Sequence, residues 1–267
     1  MPWYLSLHQY YGGQQQGTAA FLAQSADFEN YIAAIRSAIT VTRALKRSDK
    51  AMYISVDEWG VWAEPPESVT QEVDQRPWQV APAISEQIYT LEDALLFASM
   101  LMTMVRNADI VRIGCQSLIA NISSCIMTRR GGEMWKQTIY YPFRLLARHA
   151  RGTVLEVAGS PACYATPAGA RVPAVDVLAV WNRAQGEVAV FCVNRLDNAP
   201  GMLELALQGF EPTKIVECVT LTGGARQTNE TDHSAVIPCE SDVATLRGGV
   251  LTAPLPPLSF NMIRVRV

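Results

Sequence analysis

Two classes of structure follow one another in this chain, an α/β part over residues 1–152 and an all-β part over residues 153–267. Two observations predict this. Before Gly152, apolar β-branched strands alternate with stretches whose apolar residues recur at helical spacing, the pattern of parallel β/α units. After it, short alternating strands succeed one another with turn residues between them and no helical period. A net charge of −3 with 18% charged residues gives no basic excess that would point to nucleic acid.

The first strand runs over Trp3 to His8, with Tyr4, Ser6, His8 and Tyr10 on one face and Leu5 and Leu7 on the other. Gly12 to Gly17 reads as a flexible polar loop. Phe28, Ile32, Ile35 and Ile39 then mark a helix, with Asp27 as its cap. The second strand, Ala51 to Trp62, places Met52, Ile54, Val56 and Glu58 on one face and Tyr53, Ser55, Asp57 and Trp59 on the other. A Pro-rich loop spans Ala63 to Pro82. A second helix is expected over Ser85 to Arg106, with Ile88, Leu91, Leu95 and Met102 inward. Ile110 to Cys115 forms a third strand, and Pro142 fits the first turn of a third helix.

Beyond Gly152, strands are expected over Val175–Trp181, Glu187–Asn194, Met202–Leu207, Lys214–Leu221, Val250–Leu255 and Phe260–Val267, making a β-sandwich. The N-terminus shows no basic region followed by a long apolar run. Ala94 to Val105 is the most apolar helical stretch, and Ser99 and Thr103 break it short of the roughly 20 residues that span a bilayer. No membrane partner is expected. Cysteines 115, 125, 163, 192, 218 and 239 form no Cys-x-x-Cys; their even number is compatible with disulfides, but without an export signal a reduced, cytoplasmic chain is expected. His8, His149 and His233 are scattered without metal-ligand spacing, so no metal and no cofactor are expected.

Glu58 ends an otherwise apolar strand face. Such a carboxylate fits a catalytic group at the C-terminal end of a barrel strand, and it equally fits an ordinary acidic residue where strand meets loop. Asp57-Glu-Trp-Gly-Val-Trp62 resembles the nucleophile strand of the family 51 glycoside hydrolases, the α-L-arabinofuranosidases. Similarity continues in order through Tyr4-Leu-Ser-Leu-His-Gln-Tyr-Tyr-Gly12, Glu92-Asp-Ala-Leu-Leu96, Trp135-Lys-Gln-Thr-Ile-Tyr-Tyr-Pro-Phe143 and His149-Ala-Arg-Gly152, and so covers nearly the whole chain.

The resemblance implies that residues 1–152 are the last three β/α units of an incomplete TIM (β/α)8 barrel. Residues 153–267 would be a jelly-roll-like β-sandwich domain. A full barrel takes about 250 residues, so strands one to five are missing, and the chain is expected to be a truncated product or one subunit of a split enzyme. By the same resemblance Glu58 is the nucleophile of a retaining mechanism, and the acid/base glutamate follows a strand absent here. The isolated chain is therefore expected to be nearly inactive. Glu64, Glu67 and Glu72 are read as solvated loop charges rather than substitutes.

Tyr10 falls where the family has a tyrosine bonded to the nucleophile; taken alone it is a half-buried strand-end tyrosine. His8 is either a residue behind the site or a satisfied core histidine. Trp62 could wall the sugar ring, Trp59 packs against a helix, and Asp57 is expected to cap a turn. Gly60 and Ala63 stand where the family has Asn and Tyr. Leu118 stands where it has a sugar-binding glutamine, with Gln116 two residues earlier as a substitute contact or a plain loop residue. Asn121 matches a family asparagine, and Arg129-Arg-Gly-Gly132 reads as a surface turn.

The implied partners are an arabinose-containing oligosaccharide or polysaccharide as substrate and a complementing N-terminal half-barrel chain. The complete protein would be a homo-oligomer. A related β-xylosidase or endoglucanase is the alternative within the enzyme class. A non-catalytic carbohydrate-binding or interaction subunit is the alternative outside it.

Overall fold

The computed structural model describes residues 3–62, 67–82, 84–167 and 169–267. Its first part holds β1 (Trp3–Tyr11), a 3-10 turn at Gln14–Gln16, α1 (Thr18–Leu45), β2 (Met52–Val61), α2 (Glu67–Gln75), α3 (Leu91–Arg106) and β3 (Val111–Gln116). The three strands form a parallel sheet with β2 in the centre, as the alternation of strands and helices predicts.

Three local expectations are corrected. Asp27 is not a cap, because α1 begins at Thr18; it lies inside the helix and accepts the Tyr11 hydroxyl at 2.8 Å. The Pro-rich loop contains a helix, α2. The second long helix starts at Leu91 rather than Ser85, because Thr90 and Asp93 form a reciprocal capping box there, which satisfies the first free backbone N–H groups.

The small strands β4 (Leu118–Ala120), β5 (Ser124–Thr128) and β6 (Met134–Lys136) follow as one sheet, and α4 spans Tyr140–His149. The remainder is β7 (Thr153–Leu155), β8 (Cys163–Ala165), β9 (Arg171–Pro173), β10 (Val175–Asn182), β11 (Glu187–Asn194), β12 (Gly201–Ala206), β13 (Lys214–Thr222), β14 (Cys239–Glu240), β15 (Thr245–Arg247), β16 (Val250–Leu255) and β17 (Ser259–Arg266). Six of these form an antiparallel sheet in the order β14-β13-β17-β11-β10-β7, three form a second sheet β12-β16-β15, and β8 pairs with β9. Gly152 opens this part at φ 141, where a Cβ would sit 2.0 Å from the Trp181 carbonyl oxygen, so only glycine fits.

Burial of α3 organises the packing. Every residue of the helix except Leu101, Val105 and Arg106 is buried. One apolar cluster gathers Val56 and Trp59 of β2, Phe28 and Ile32 of α1, the α3 side chains, and Leu178, Phe191 and Phe260 of the six-stranded sheet. The cluster therefore runs across residue 152, where strand pairing changes from parallel to antiparallel. β11 is buried along its whole length. Its Ala189, Phe191 and Val193 face the α3 cluster, and its Val188, Val190 and Cys192 face a second cluster with Leu203, Leu251 and Leu255 of the smaller sheet.

An ionic chain crosses the same junction. Asp176 of β10 accepts from Arg195 at 2.9 Å and from Arg106 of α3 at 2.9 Å, and Arg106 reaches Glu29 of α1 at 3.3 Å. Arg195 is 5% exposed and also donates to Ser25 and to the Pro173 carbonyl. Burial alone would push the Asp176 carboxyl up, but the two guanidinium groups hold it below its ordinary value of 3.8. Truncating one partner of a buried pair leaves the other charge uncompensated. Asp176→Ala is therefore expected to cost about 3–5 kcal/mol in equilibrium urea unfolding. Because the folded pKa is lowered, the carboxylate's contribution is present above about pH 4 and is lost as pH falls through its depressed value. The variant should lack that acid-dependent component.

Candidate active site

The geometry at Glu58 is set by a β-bulge. Leu7 pairs with Val56, but the next residue, His8, pairs with Glu58, so Asp57 is one residue extra. A bulge breaks the two-residue alternation of side chains. Ile54 and Val56 are buried toward the helices, and Trp59 takes the next buried position. The expected sharing of one face by Met52, Ile54, Val56 and Glu58 is thereby corrected. Asp57 and Glu58 both reach the face of β1 that carries Ser6 and His8.

On that face Glu58 Oε2 lies 3.0 Å from His8 Nδ1, and Asp57 Oδ1 lies 3.8 Å from His8 Nε2. The Ser6 hydroxyl donates to Asp57 Oδ1 at 2.8 Å, so among the described residues Asp57 is held by a side chain of the neighbouring strand rather than by the turn it is expected to cap. His8 is 55% exposed and Glu58 45%, which excludes a core histidine. Tyr10, two residues beyond His8, donates its hydroxyl to Ser117 Oγ at 3.0 Å. Burial raises the Tyr10 phenol above its ordinary pKa, the Ser117 bond opposes this, and the Glu58 carboxylate raises it further. Trp62 meets the Tyr10 ring edge-on at 5.6 Å and remains 43% exposed.

Gln116, at the end of β3, donates to the Ser123 carbonyl at 2.6 Å, while its Oε1 is buried without a hydrogen-bond partner. Gly60 sits between the two side chains: a Cβ there would lie 3.7 Å from Tyr10 Cε1 and 3.9 Å from Gln116 Oε1. The structure therefore brings Glu58, His8, Tyr10, Trp62 and Gln116 to the C-terminal ends of three adjacent parallel strands. Leu118 is half-exposed on β4, and Asn121 accepts from the Thr128 N–H at 2.7 Å, a structural bond within the small sheet. Arg129 to Gly132 turns between β5 and β6, with Arg129 paired to Glu133. Trp59 is fully buried and stacks on Phe97 at 4.5 Å.

Glycoside hydrolysis needs two carboxylates on opposite sides of the scissile bond. Asp57 and Glu58 flank one imidazole on one strand and form a single wall. Glu72 of α2 pairs with Arg76, the residue after the helix, at 3.8 Å. Glu64 and Ala63 lie outside the described residues. Sequence reasoning missed Ser117 and Ser123, which hold Tyr10 and Gln116; isolated serines in a loop carry no pattern that singles them out. Among the described residues no group of three or more His, Cys, Asp or Glu could hold a metal, and no helix is long and apolar enough to cross a membrane. Cavities of about 520 Å³ beside His149 and about 1580 Å³ beside Arg195 lie elsewhere.

Residues 57–259 match the model of the α-L-arabinofuranosidase C-terminal domain. The chain is 35% identical over 264 residues to an intracellular exo-α-(1→5)-L-arabinofuranosidase of Acetivibrio thermocellus, and 36% identical to one of Halalkalibacterium halodurans. In each case the match covers 98% of this chain and 52% of the relative, so the chain spans about half the length of the curated relatives it matches. A solved family 51 α-L-arabinofuranosidase from Bifidobacterium longum superposes with a TM-score of 0.86 at 30% identity, covering 98% of this chain and 52% of that one. The α-L-arabinofuranosidase from Thermotoga maritima, at 18% identity and TM-score 0.75 over 99% of this chain and 52% of that one, shares the fold.

The two site tryptophans should separate on unfolding. Trp59→Ala is expected to lose about 3–5 kcal/mol from the core. Trp62→Ala should stay within about 0.5 kcal/mol of the parent, as an exposed substitution does. Urea titration of the two variants checks this.

Proposed function

Since this chain belongs to the family 51 α-L-arabinofuranosidases and matches their C-terminal portion, we propose that it carries the nucleophile half of a retaining arabinofuranosidase site. Residues 1–152 are read as the last three units of a (β/α)8 barrel and residues 153–267 as a β-sandwich domain. Terminal α-L-arabinofuranosyl groups of arabinose-containing oligosaccharides and polysaccharides are the proposed substrate, in line with the names of the relatives. Their description as intracellular supports a cytoplasmic location.

In the proposed reaction a Glu58 oxygen attacks the anomeric carbon, the bond to the leaving oxygen breaks, and an acid protonates that oxygen. A water molecule, losing its proton to the same group, then attacks the anomeric carbon and releases Glu58. His8 at 3.0 Å holds the carboxylate in place, and Tyr10 lies beside it under the influence of its charge. Trp62 offers an exposed ring for the sugar's C–H face, and Gln116 an amide for a hydroxyl. The acid/base group is read as part of the opposite wall, outside residues 1–267, which an N-terminal half like that of the relatives would supply.

The observation that carries this reading is Glu58 at the C-terminal end of the central parallel strand, aimed at the sheet face away from the helices. The test joins this chain to the N-terminal half of the Acetivibrio thermocellus relative and follows hydrolysis of an aryl α-L-arabinofuranoside. Activity is expected only in the joined protein. Glu58→Gln should lower kcat on the order of 10⁶-fold, as loss of a nucleophile does. Cleavage of aryl β-xylosides in preference to arabinofuranosides, or full activity of the Glu58→Gln form, would refute it.

A further inference from the structure

Behind the candidate site lies a buried polar layer that the reading above does not use. Gln137, between β6 and α4, is 1% exposed. Its amide is engaged at both ends: Oε1 accepts from the Tyr89 N–H at 3.0 Å, and Nε2 donates to the Gln87 carbonyl at 3.0 Å and the Ser124 carbonyl at 2.9 Å. One side chain thus ties the segment before α3 to the start of β5. Gln87, 5% exposed, accepts from the Tyr89 hydroxyl at 2.6 Å and from the Ser123 hydroxyl at 3.4 Å. The Tyr89 oxygen also lies 3.2 Å from the carbonyl of Val61, the last residue of β2.

This layer supports the loop from residue 117 to residue 124. Ser117 accepts the Tyr10 hydroxyl at one end, and the Ser123 carbonyl accepts the Gln116 amide at the other. Ser123 has a φ of 45°, in the left-handed region that a serine seldom occupies. Backbone in such a region persists where its surroundings hold it. The bonds from Gln137 to Ser124 and from Ser123 to Gln87 supply that support.

We propose that Gln137 is a positioning residue: by holding the start of β5 against Gln87 and Tyr89, it fixes the loop that orients Tyr10 and Gln116. A glutamine amide offers two donors and an acceptor in one plane. A glutamate of the same shape keeps the acceptor for Tyr89 and loses the donors to both carbonyls. The functional meaning rests on the reading of Glu58 and Tyr10 above, but the first part of the test needs no turnover.

The protein is labelled with 3-fluorotyrosine, and the Tyr10 resonance among the nine tyrosines is identified by its loss in Tyr10→Phe. Gln137→Glu and Gln137→Met are compared with Ile263→Val, a control in the cluster between the antiparallel sheets. In Gln137 variants that still melt cooperatively, the Tyr10 fluorine signal should shift and its alkaline titration should change, because the Tyr10 hydroxyl loses its fixed contact with Ser117. The control should leave both unchanged. In the joined enzyme, misplacement of the site should lower kcat/KM about 10²-fold, mostly through kcat. An unchanged Tyr10 signal in a folded variant overturns the proposal, and so does failure of both variants to fold, which would make Gln137 purely structural. A shifted Tyr10 signal with turnover intact would uphold the positioning and count instead against Tyr10 as part of the site.

Discussion

The molecule depends on burying one helix on both of its sides. α3 carries Leu, Phe, Met and Ala around most of its circumference, and only Leu101, Val105 and Arg106 escape burial. A helix apolar all round cannot be a surface helix on a single sheet. It needs two apolar layers, and the chain supplies them as the parallel sheet with α1 on one side and the six-stranded antiparallel sheet on the other. The Asp176, Arg195, Arg106 and Glu29 chain locks the same three layers by charge. Burial of an ion pair is weak evidence of stability by itself, so its contribution lies in fixing how the layers sit.

That packing leaves the other face of the parallel sheet uncovered, and the bulge at Asp57 turns two acids toward it. In the same sequence without the bulge, Glu58 would follow Val56 into the apolar layer against the helices, where a carboxylate is costly. With it, Trp59 fills that layer against Phe97 and the carboxylate meets His8. A single irregularity in strand register thus separates Trp59, which packs in the core, from Glu58, which stands on the open face beside His8.

Much of this was legible in the sequence. The parallel strands, the later antiparallel run and the inward faces of α1 and α3 follow from apolar spacing alone. Glu58, Tyr10 and His8 were singled out by a motif, and they converge. The misses share a physical cause. The capping box at Thr90 lies within an unbroken polar-to-apolar transition, so the helix read as starting at Ser85. α2 hides among prolines. A bulge leaves no mark in the order of residue types, and strict alternation put Asp57 and Glu58 on opposite faces. The glutamine layer is the hardest to read, because its partners come from separated segments, Gln87, Ser123 and Gln137, that meet only after folding.

The central claim is that the Glu58 carboxylate forms the bond to the sugar. A fluorinated arabinofuranosyl donor whose glycosyl-enzyme hydrolyses slowly traps that bond, and peptide mapping by mass spectrometry of the joined protein locates it. The account predicts one arabinofuranosyl-sized mass increase on the peptide containing residues 52–61, assigned by fragmentation to Glu58. Label on Asp57 or on any other carboxylate, with Glu58 unmodified, would contradict it.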